Sequence, residues 1–584
     1  IGLIKNETFS VDMTSNDGLS SSPDWLSRPR VAEPKSFAPA QVIQHGFKIK
    51  SQDDFAADPS NFSESFFQSI LVGDEFQREE AISCVLDVLD NALYNNDLDF
   101  LRAHIGTIVR LSTGCPFTNV RTALLEFINR VKENDLDIVI PHSTSDYSSF
   151  FDESDDPLPF LLENEDLGPE IVAKLCRIAF LQKGRVSHIV RLISWHPIYL
   201  EKFYQTYDHL MFETGALTVD WRSYIAIIGS SRHYCKYLIT SQEKEFQDSG
   251  GDSTWLRGLS SAPPKLQALS KLNAILAHQP WLLQSKHIAE LCTGGTDNWS
   301  LNELVQAMII LTTFHSLSGI VNGCGLLPEV EEEVSSTQNS TESSSSEEEK
   351  DIGTNITKKL FEALSSSDDS DLTPGQKKLF EIVDEKSIPN ETFKKYCIIA
   401  PSITSSKQHP ALKYRGSLSL EHSDFVINSQ NYTVFHFSDY RWKDQGYAMV
   451  NEYYPTIAPL LDEEFRTIYN LTYRTFSDND NVDTARFRSA VWHYVHRVQG
   501  IFHDDYSYNS VNFWLNRRLK TYIKKLVCFP KDIKKADFQN MGIDLHHHEK
   551  VHLSLLATTA RKQAALLYGL RAIMQYQAES GRIN

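Results

Sequence analysis

Apolar residues recur at the 3.6-residue period of a helix through two long stretches of this chain, and a Ser/Glu/Asp tract separates them. Ile82, Val85, Leu86, Leu89 and Leu93 share one helical face. So do Leu101, Ile105, Ile108 and Val109, and then Val120, Leu124, Phe127, Ile128 and Val131. Further periodic segments predict helices near 170–181, 199–211, 221–246, 264–277 and 301–317. Gly250 with Gly251, Pro263 with Pro264 and Gly294 with Gly295 punctuate them. The second stretch predicts helices at 463–475, 483–502, 511–527 and 549–576. Such a pattern commits the chain to an all-α class, two helical domains with an extra N-terminal helical segment.

Composition divides the chain further. Residues 1–65 are rich in Ser, Pro, Asp and Asn without any period, so disorder is expected there. A helical segment follows at 66–145, then an acidic stretch at 146–170 that reads as a solvated connection. The first large helical domain spans 171–328. An acidic Ser-rich linker, expected to be disordered, covers 329–405, and the C-terminal helical domain occupies 406–584. Serines followed by acids, as in SSSSEEEK and SSSDDSD, make the linker a candidate for phosphorylation.

The formal charge is 57 − 76 = −19. Residues 146–170 contribute −9 and residues 329–372 contribute 3 − 13 = −10, so the other 515 residues are formally neutral. The acidity belongs to two connections, and a basic feature elsewhere is not ruled out by net charge. No nucleic acid and no membrane partner is expected. The longest uncharged stretch, 305–328, carries Gln306, His315, Asn322 and three glycines, which suits a buried helix and a turn better than a membrane span. The eight cysteines (Cys84, Cys115, Cys176, Cys235, Cys292, Cys324, Cys397, Cys528) never form a CxxC pair, which argues for a reducing compartment and against a zinc ribbon. No basic-then-apolar leader opens the chain, which begins at Ile1, so residues upstream are expected to be missing or processed.

Four constellations carry possible chemistry. His548-Glu549-Lys550-Val551-His552 matches the H-E-x-x-H pattern that sets two imidazoles on one helical face. A zinc site needs a third ligand, yet Leu555 and Thr558 stand where a metzincin continues. The later Glu579 lies 27 residues past His552, roughly 40 Å along a helix. No metal or cofactor is therefore expected. Arg232, one helical turn before Cys235, could favour a thiolate, and the competing reading makes Cys235 an ordinary core residue. Arg488 with Glu549 forms the third set. Asp504 with Asp505 forms the fourth, beside a basic stripe of Arg517, Lys520 and Lys524 at i, i+3, i+7. By pattern alone both read as solvated faces. Trp221-Arg222-Ser223 and Phe487-Arg488-Ser489 each precede an apolar helix, a faint internal repeat.

Longer words are more informative. HPIYLEKF (196–203), WRSYIAIIGSSRHYCKYL (221–238), GGDSTWLRGL (250–259), DYRWKDQGY (439–447), NLTYRT (470–475), DDYSY (504–508) and LKTYIKKLVCFP (519–530) closely resemble the sestrins, a family of stress-responsive regulators. CPFTNVR (115–121) extends the likeness into the three-helix segment. The resemblance implies two domains similar to the bacterial alkylhydroperoxidase AhpD, the first with a redox cysteine and the second with a leucine pocket. It implies a cytoplasmic and nuclear sensor of leucine and stress that inhibits GATOR complex 2 and so lowers TOR complex 1 activity.

Residue by residue, Cys235 matches the family's redox cysteine and Tyr237 its partner tyrosine, whereas the histidine expected seven residues on is Gln242. The position of the other AhpD cysteine is Arg232, so a sulfenic acid on Cys235 would lack a resolving thiol. A weak thiol-dependent hydroperoxide reductase remains the alternative function. Glu549 and Arg488 match the residues that hold the ammonium and carboxylate of leucine; Thr472, Tyr473, Thr475, Thr484 and His552 match pocket and lid positions. Asp504 and Asp505 match the acidic pair that contacts the partner complex, with Arg517, Lys520 and Lys524 in a linked patch. Two departures, Phe487 for a usual leucine and Gly542 for a usual tryptophan wall, predict leucine binding that is weakened or altered in selectivity.

Overall fold

A computed structural model describes residues 67–70, 74–134, 138, 147–151, 170–183, 186–293, 297–329, 409–416, 418–423, 425 and 434–581. The expectations for residues 1–65, for 330–405 and for most of 146–170 lie outside the described residues. The described chain is helical almost throughout, as the periodicity requires.

Helices α1 (Glu75–Tyr94), α2 (Leu98–Gly114) and α3 (Thr118–Glu133) pack on one another. Asp74 and Asp97 start the first two by accepting the N–H of Gln77 and Phe100 at 3.0 and 3.1 Å. Helix α4 (Glu170–Lys183) presents Phe180 edge-on to Phe117, at 5.8 Å between ring centres.

The first large block holds α5 (His188–Ile193), α6 (Pro197–Phe212), α7 (Val219–Ser231), α8 (Lys236–Asp248), α9 (Pro264–His278), α10 (Ser285–Thr293) and α11 (Leu301–Gly323). The second holds β1 (Phe435–His436), α12 (Tyr447–Tyr453), α13 (Ala458–Asn470), β2 (Thr475–Phe476), β3 (Asn479–Asp480), α14 (Ala485–Val498) and β4 (Ile501–Phe502). It ends with α15 (Asn509–Trp514), α16 (Arg517–Cys528), α17 (Lys535–Gln539) and α18 (His547–Glu579).

Helices α11 and α18 form a shared pillar, one from each block. A helix apolar on all sides must be buried on all sides. Helix α11 is long and apolar enough to cross a membrane, yet its apolar window is wholly buried inside the protein, as the sequence reading expects. It starts with a capping box between Ser300 and Glu303. Gly319 permits the close crossing, because a Cβ there would meet Thr558 Cγ2 at 2.8 Å and Leu526 O at 3.1 Å.

Three local expectations are corrected. The single helix expected at 221–246 is two helices, α7 and α8, because Tyr234 takes a positive φ of 54° and Ser230 O accepts the N–H of both His233 and Cys235. The helix expected at 511–527 is likewise broken, since Asn516 caps α16 through the N–H of Leu519 at 2.9 Å. The stretch 146–170 is not wholly solvated. Tyr147, Ser148 and Phe151 are buried, with the Ser148 hydroxyl on Cys324 O and a backbone bridge to Leu326. Their apolar rings outweigh the charge of the run in which they sit.

Candidate ligand pocket and partner surface

The seven residues matched to the ligand site line one cleft. Thr472, Tyr473, Thr475, Thr484, Arg488, Glu549 and His552 surround it together with Phe476, Phe487, Leu545, His548, Leu553 and Leu556. Its empty space, open mouth included, is about 480 Å³, within the range of small-molecule sites. Phe476, Leu545, His548, Leu553 and Leu556 were not anticipated. Two of them were legible in principle: Glu549, His552, Leu553 and Leu556 follow i, i+3, i+4, i+7 on α18, so they share a face.

Glu549 sits in the first turn of α18 and is partly desolvated, which raises its carboxyl from the usual value. Its two oxygens accept the N–H of Ser477 at 3.0 and 3.1 Å, and Oε2 accepts the N–H of His546 at 2.9 Å. Ser477 is at the tip of the β2–β3 hairpin, where Thr475 pairs with Asp480 and Phe476 with Asn479. Arg488, in the first turn of α14, donates through Nε to Thr484 Oγ1 at 3.1 Å and through Nη1 to Tyr469 O. Burial lowers the pKa of this guanidinium. Thr472 and Thr484 hydroxyls lie 3.3 Å apart, and the Arg474 N–H donates to Thr472. Phe476 and Phe487 meet edge-on at 5.3 Å.

The two charged groups are not paired with one another among the described residues. Each is held by neutral neighbours, so the cleft presents a carboxylate and a guanidinium separately, between apolar walls. His552 is pushed down to about 4 by burial and by Arg488, and it meets Ile468 O at 3.4 Å. His548 is also pushed down to about 4 by burial. Both rings are neutral at pH 7. Among the described residues no group of three His, Cys, Asp or Glu is placed to hold a metal ion.

The other block reaches the cleft through His196, which precedes α6. Its Nε2 faces His548 O at 2.9 Å and its Nδ1 faces the Tyr473 hydroxyl at 2.9 Å. A carbonyl only accepts, so the proton is on Nε2, and Tyr473 donates to Nδ1. Sequence reading missed this residue.

Gly542 does not leave the expected gap. It lies outside the cleft lining, with φ +74° and its carbonyl accepting from Asn516 Nδ2 at 3.0 Å. A tryptophan could not take that backbone without strain. Leu545 supplies apolar wall from the same run.

Cys235 is wholly buried and burial pushes its thiol up to about 12. The helix break turns Arg232 elsewhere: its guanidinium donates to the carbonyls of Arg415, Leu418 and Leu420 at 3.2, 3.1 and 2.7 Å. The expectation that Arg232 favours a thiolate is therefore corrected. Tyr237 donates its hydroxyl to Glu329 at 2.6 Å, and Gln242 is buried against the Tyr207 hydroxyl.

Asp504 and Asp505 are both exposed, on the turn after β4. Strand β4 runs parallel to β1, pairing Ile501 with Phe435 and Phe502 with His436. Arg517, Lys520 and Lys524 lie on α16, whose other face buries Leu519, Tyr522, Ile523 and Leu526. Lys520 Nζ donates to Asn512 at 2.9 Å.

The family model described as PA26 p53-induced protein (sestrin) matches residues 161–577. The chain is similar to the sestrin homolog of Dictyostelium discoideum, 37% identical over 549 residues, which is 88% of this chain and 89% of that protein. It is similar to Sestrin-2 of Mus musculus, 38% identical over 412 residues, 68% of this chain and 85% of the relative. Sestrin-1 of Xenopus laevis is 35% identical over 419 residues, 68% of this chain and 86% of the relative. Matched by that family model and by these relatives over most of its length, the chain belongs to the sestrin family.

Proposed function

We propose that this chain is a leucine sensor that binds and inhibits GATOR complex 2, and thereby restrains TOR complex 1 signalling under amino-acid starvation and oxidative stress, in the cytoplasm and nucleus. One observation carries the reading of the ligand: Glu549 and Arg488 face one cleft without pairing, and Leu545, Leu553, Leu556, Phe476 and Phe487 wall it. A free aliphatic amino acid is a zwitterion with an apolar side chain, and these are the groups it needs. Ionised carboxylates offer about four acceptor positions. Two backbone N–H groups therefore leave room on Glu549 for an ammonium, and the Nη2 end of Arg488 is available to a carboxylate. Occupancy of Glu549 bears on the hairpin through Ser477, which supports a ligand-driven change in the affinity for the partner complex.

Titration calorimetry of the full chain with leucine tests the ligand. Saturable binding that is lost in Arg488→Met supports it; no heat with leucine, valine, isoleucine or methionine refutes it. Capture of purified GATOR complex 2 with and without leucine tests the partner, and undiminished capture by the double variant Asp504→Ala with Asp505→Ala refutes that part. The alternative peroxidase function gains no support from a buried thiol of raised pKa.

A further inference from the structure

Asp504 and Asp505 are adjacent exposed acids, yet the fold treats them differently. Asp504 is engaged on both oxygens: Oδ1 accepts from His436 Nδ1 at 2.9 Å and Oδ2 from the Ser438 hydroxyl at 3.1 Å. His436 is brought there by the parallel pairing of β1 and β4, and hydrogen bonding by His436 holds the Asp504 carboxyl below its usual value. The turn is pinned again beyond the acids. The His503 N–H donates to the Tyr508 hydroxyl at 3.0 Å, and Tyr506 stacks on His493 at 3.8 Å with the rings 4° from parallel. Asp505 makes no hydrogen bond and no ion pair among the described residues. An exposed carboxylate on a fixed turn, with its lone pairs uncommitted, is pre-organised for an arriving cation, since little ordering entropy is lost on contact.

Resting on the proposed partner-binding reading, we infer that Asp505 supplies the carboxylate that meets a lysine or arginine of the partner, while Asp504 is a positioning residue that locks the turn to His436 and Ser438. The acidic pair then divides into one charge read by the partner and one hydrogen-bond acceptor read by the fold. Charge and geometry separate in the isosteric amide. Asparagine at 504 still accepts from His436 and can donate to Ser438, whereas asparagine at 505 removes the carboxylate charge that the partner's cation meets.

The experiment measures capture of purified GATOR complex 2 by the full chain at low and high salt. Asp504→Asn is expected to hold capture within about twofold of wild type, and Asp505→Asn to lose at least about tenfold together with most of the salt dependence. Asp504→Ala and His436→Ala are expected to weaken capture in parallel, with His436→Asn restoring part of it through its amide N–H. Equal loss in Asp504→Asn and Asp505→Asn, or full capture by Asp505→Asn with loss in Asp504→Asn, overturns the division of roles. Full capture by the double alanine variant overturns the partner reading itself, a distinct outcome. Thermal melting of each variant shows whether the fold is intact, and hydrogen exchange at 501–508 reads the turn directly: protection equal to wild type in Asp504→Ala overturns the positioning role.

Discussion

The Glu549 carboxylate receives the backbone N–H of Ser477 on both of its oxygens, at 3.0 and 3.1 Å, so the acid of the pocket is also the anchor of the hairpin above it. Ser477 holds a positive φ of 53°, a conformation that a serine adopts only when its surroundings impose it. The two-residue hairpin loop calls for that φ, and the carboxylate holds the N–H that the turn presents. Removing its charge is expected to loosen the hairpin and abolish ligand capture together. Glu549→Gln should weaken leucine binding by at least about tenfold, since hydrogen bonds to a charged group are worth about 1.5–3 kcal/mol. Hydrogen exchange across 475–481 should quicken in the same variant. Faster binding loss without faster exchange would separate the two roles and contradict the coupling.

Acid should unfold this protein early. His233, His278 and His315 form a buried cluster, with ring centres of His278 and His315 each 5.3 Å from His233, and Arg561 Nη2 donates to His233 Nε2 at 3.0 Å. Burial comes first, and the neighbouring arginines and histidines add to it, in holding all three well below 6.5. A depressed histidine pKa means that the unfolded chain takes up the proton first, so stability is intact above about pH 6.5 and falls below it. Each ring contributes up to about 1.4 kcal/mol per pH unit, and the three together about 4 kcal/mol. Calorimetric melting at pH 7.5, 6.5, 6.0 and 5.5 should show a steepening fall in Tm below 6.5. A flat profile would mean that these rings are not buried neutral.

Much of the architecture was legible because helical period survives in any chain that builds amphipathic helices. The break at Arg232–Cys235 was not, since its cause is a backbone turn at Tyr234 inside an unbroken apolar run. Tyr147 and Phe151 were hidden by the acids around them. The site was legible only by resemblance: Arg488 and Glu549 are 61 residues apart, and nothing in their local spacing brings them together. His196 is 277 residues from the Tyr473 hydroxyl it accepts from, a contact created by packing of the two blocks. The faint repeat has a physical content that sequence could not supply. Arg222, like Arg488, is buried in the first turn of its helix and donates to backbone carbonyls upstream, here those of Leu210, Glu213 and Leu217. Arg222 is closed in among the backbone it bonds, whereas the Arg488 side chain opens on a cleft.

Thiol reagents should discriminate among the cysteines. Cys84 is exposed whereas Cys235 is buried with a thiol pushed up to about 12. Only the thiolate attacks an alkylating reagent or a peroxide. Iodoacetamide at pH 7.5, read by peptide mass spectrometry, is therefore expected to modify Cys84 within minutes and to leave Cys235 unmodified until the protein unfolds. Cys235→Ser should consume peroxide at the rate of wild type. Prompt labelling of Cys235 in the folded protein would show an opening of the α7–α8 junction that the packed structure does not contain.

Phe487 is the remaining departure that touches the cleft, and it should set selectivity. Its ring meets Phe476 edge-on at 5.3 Å, joining α14 to the hairpin, and it occupies volume that a branched aliphatic side chain would otherwise fill. Phe487→Leu removes an aromatic pair worth about 0.5–1.5 kcal/mol beyond its buried area, so the variant should melt a few degrees lower. The same change frees space in the cleft that Phe487 lines. Each additional methylene buried by a ligand contributes about 0.8 kcal/mol, so leucine and methionine should gain about three- to fourfold in affinity over valine relative to wild type. Calorimetric titration of both proteins with the three amino acids measures that ratio, and an unchanged ratio would place the selecting wall elsewhere in the cleft.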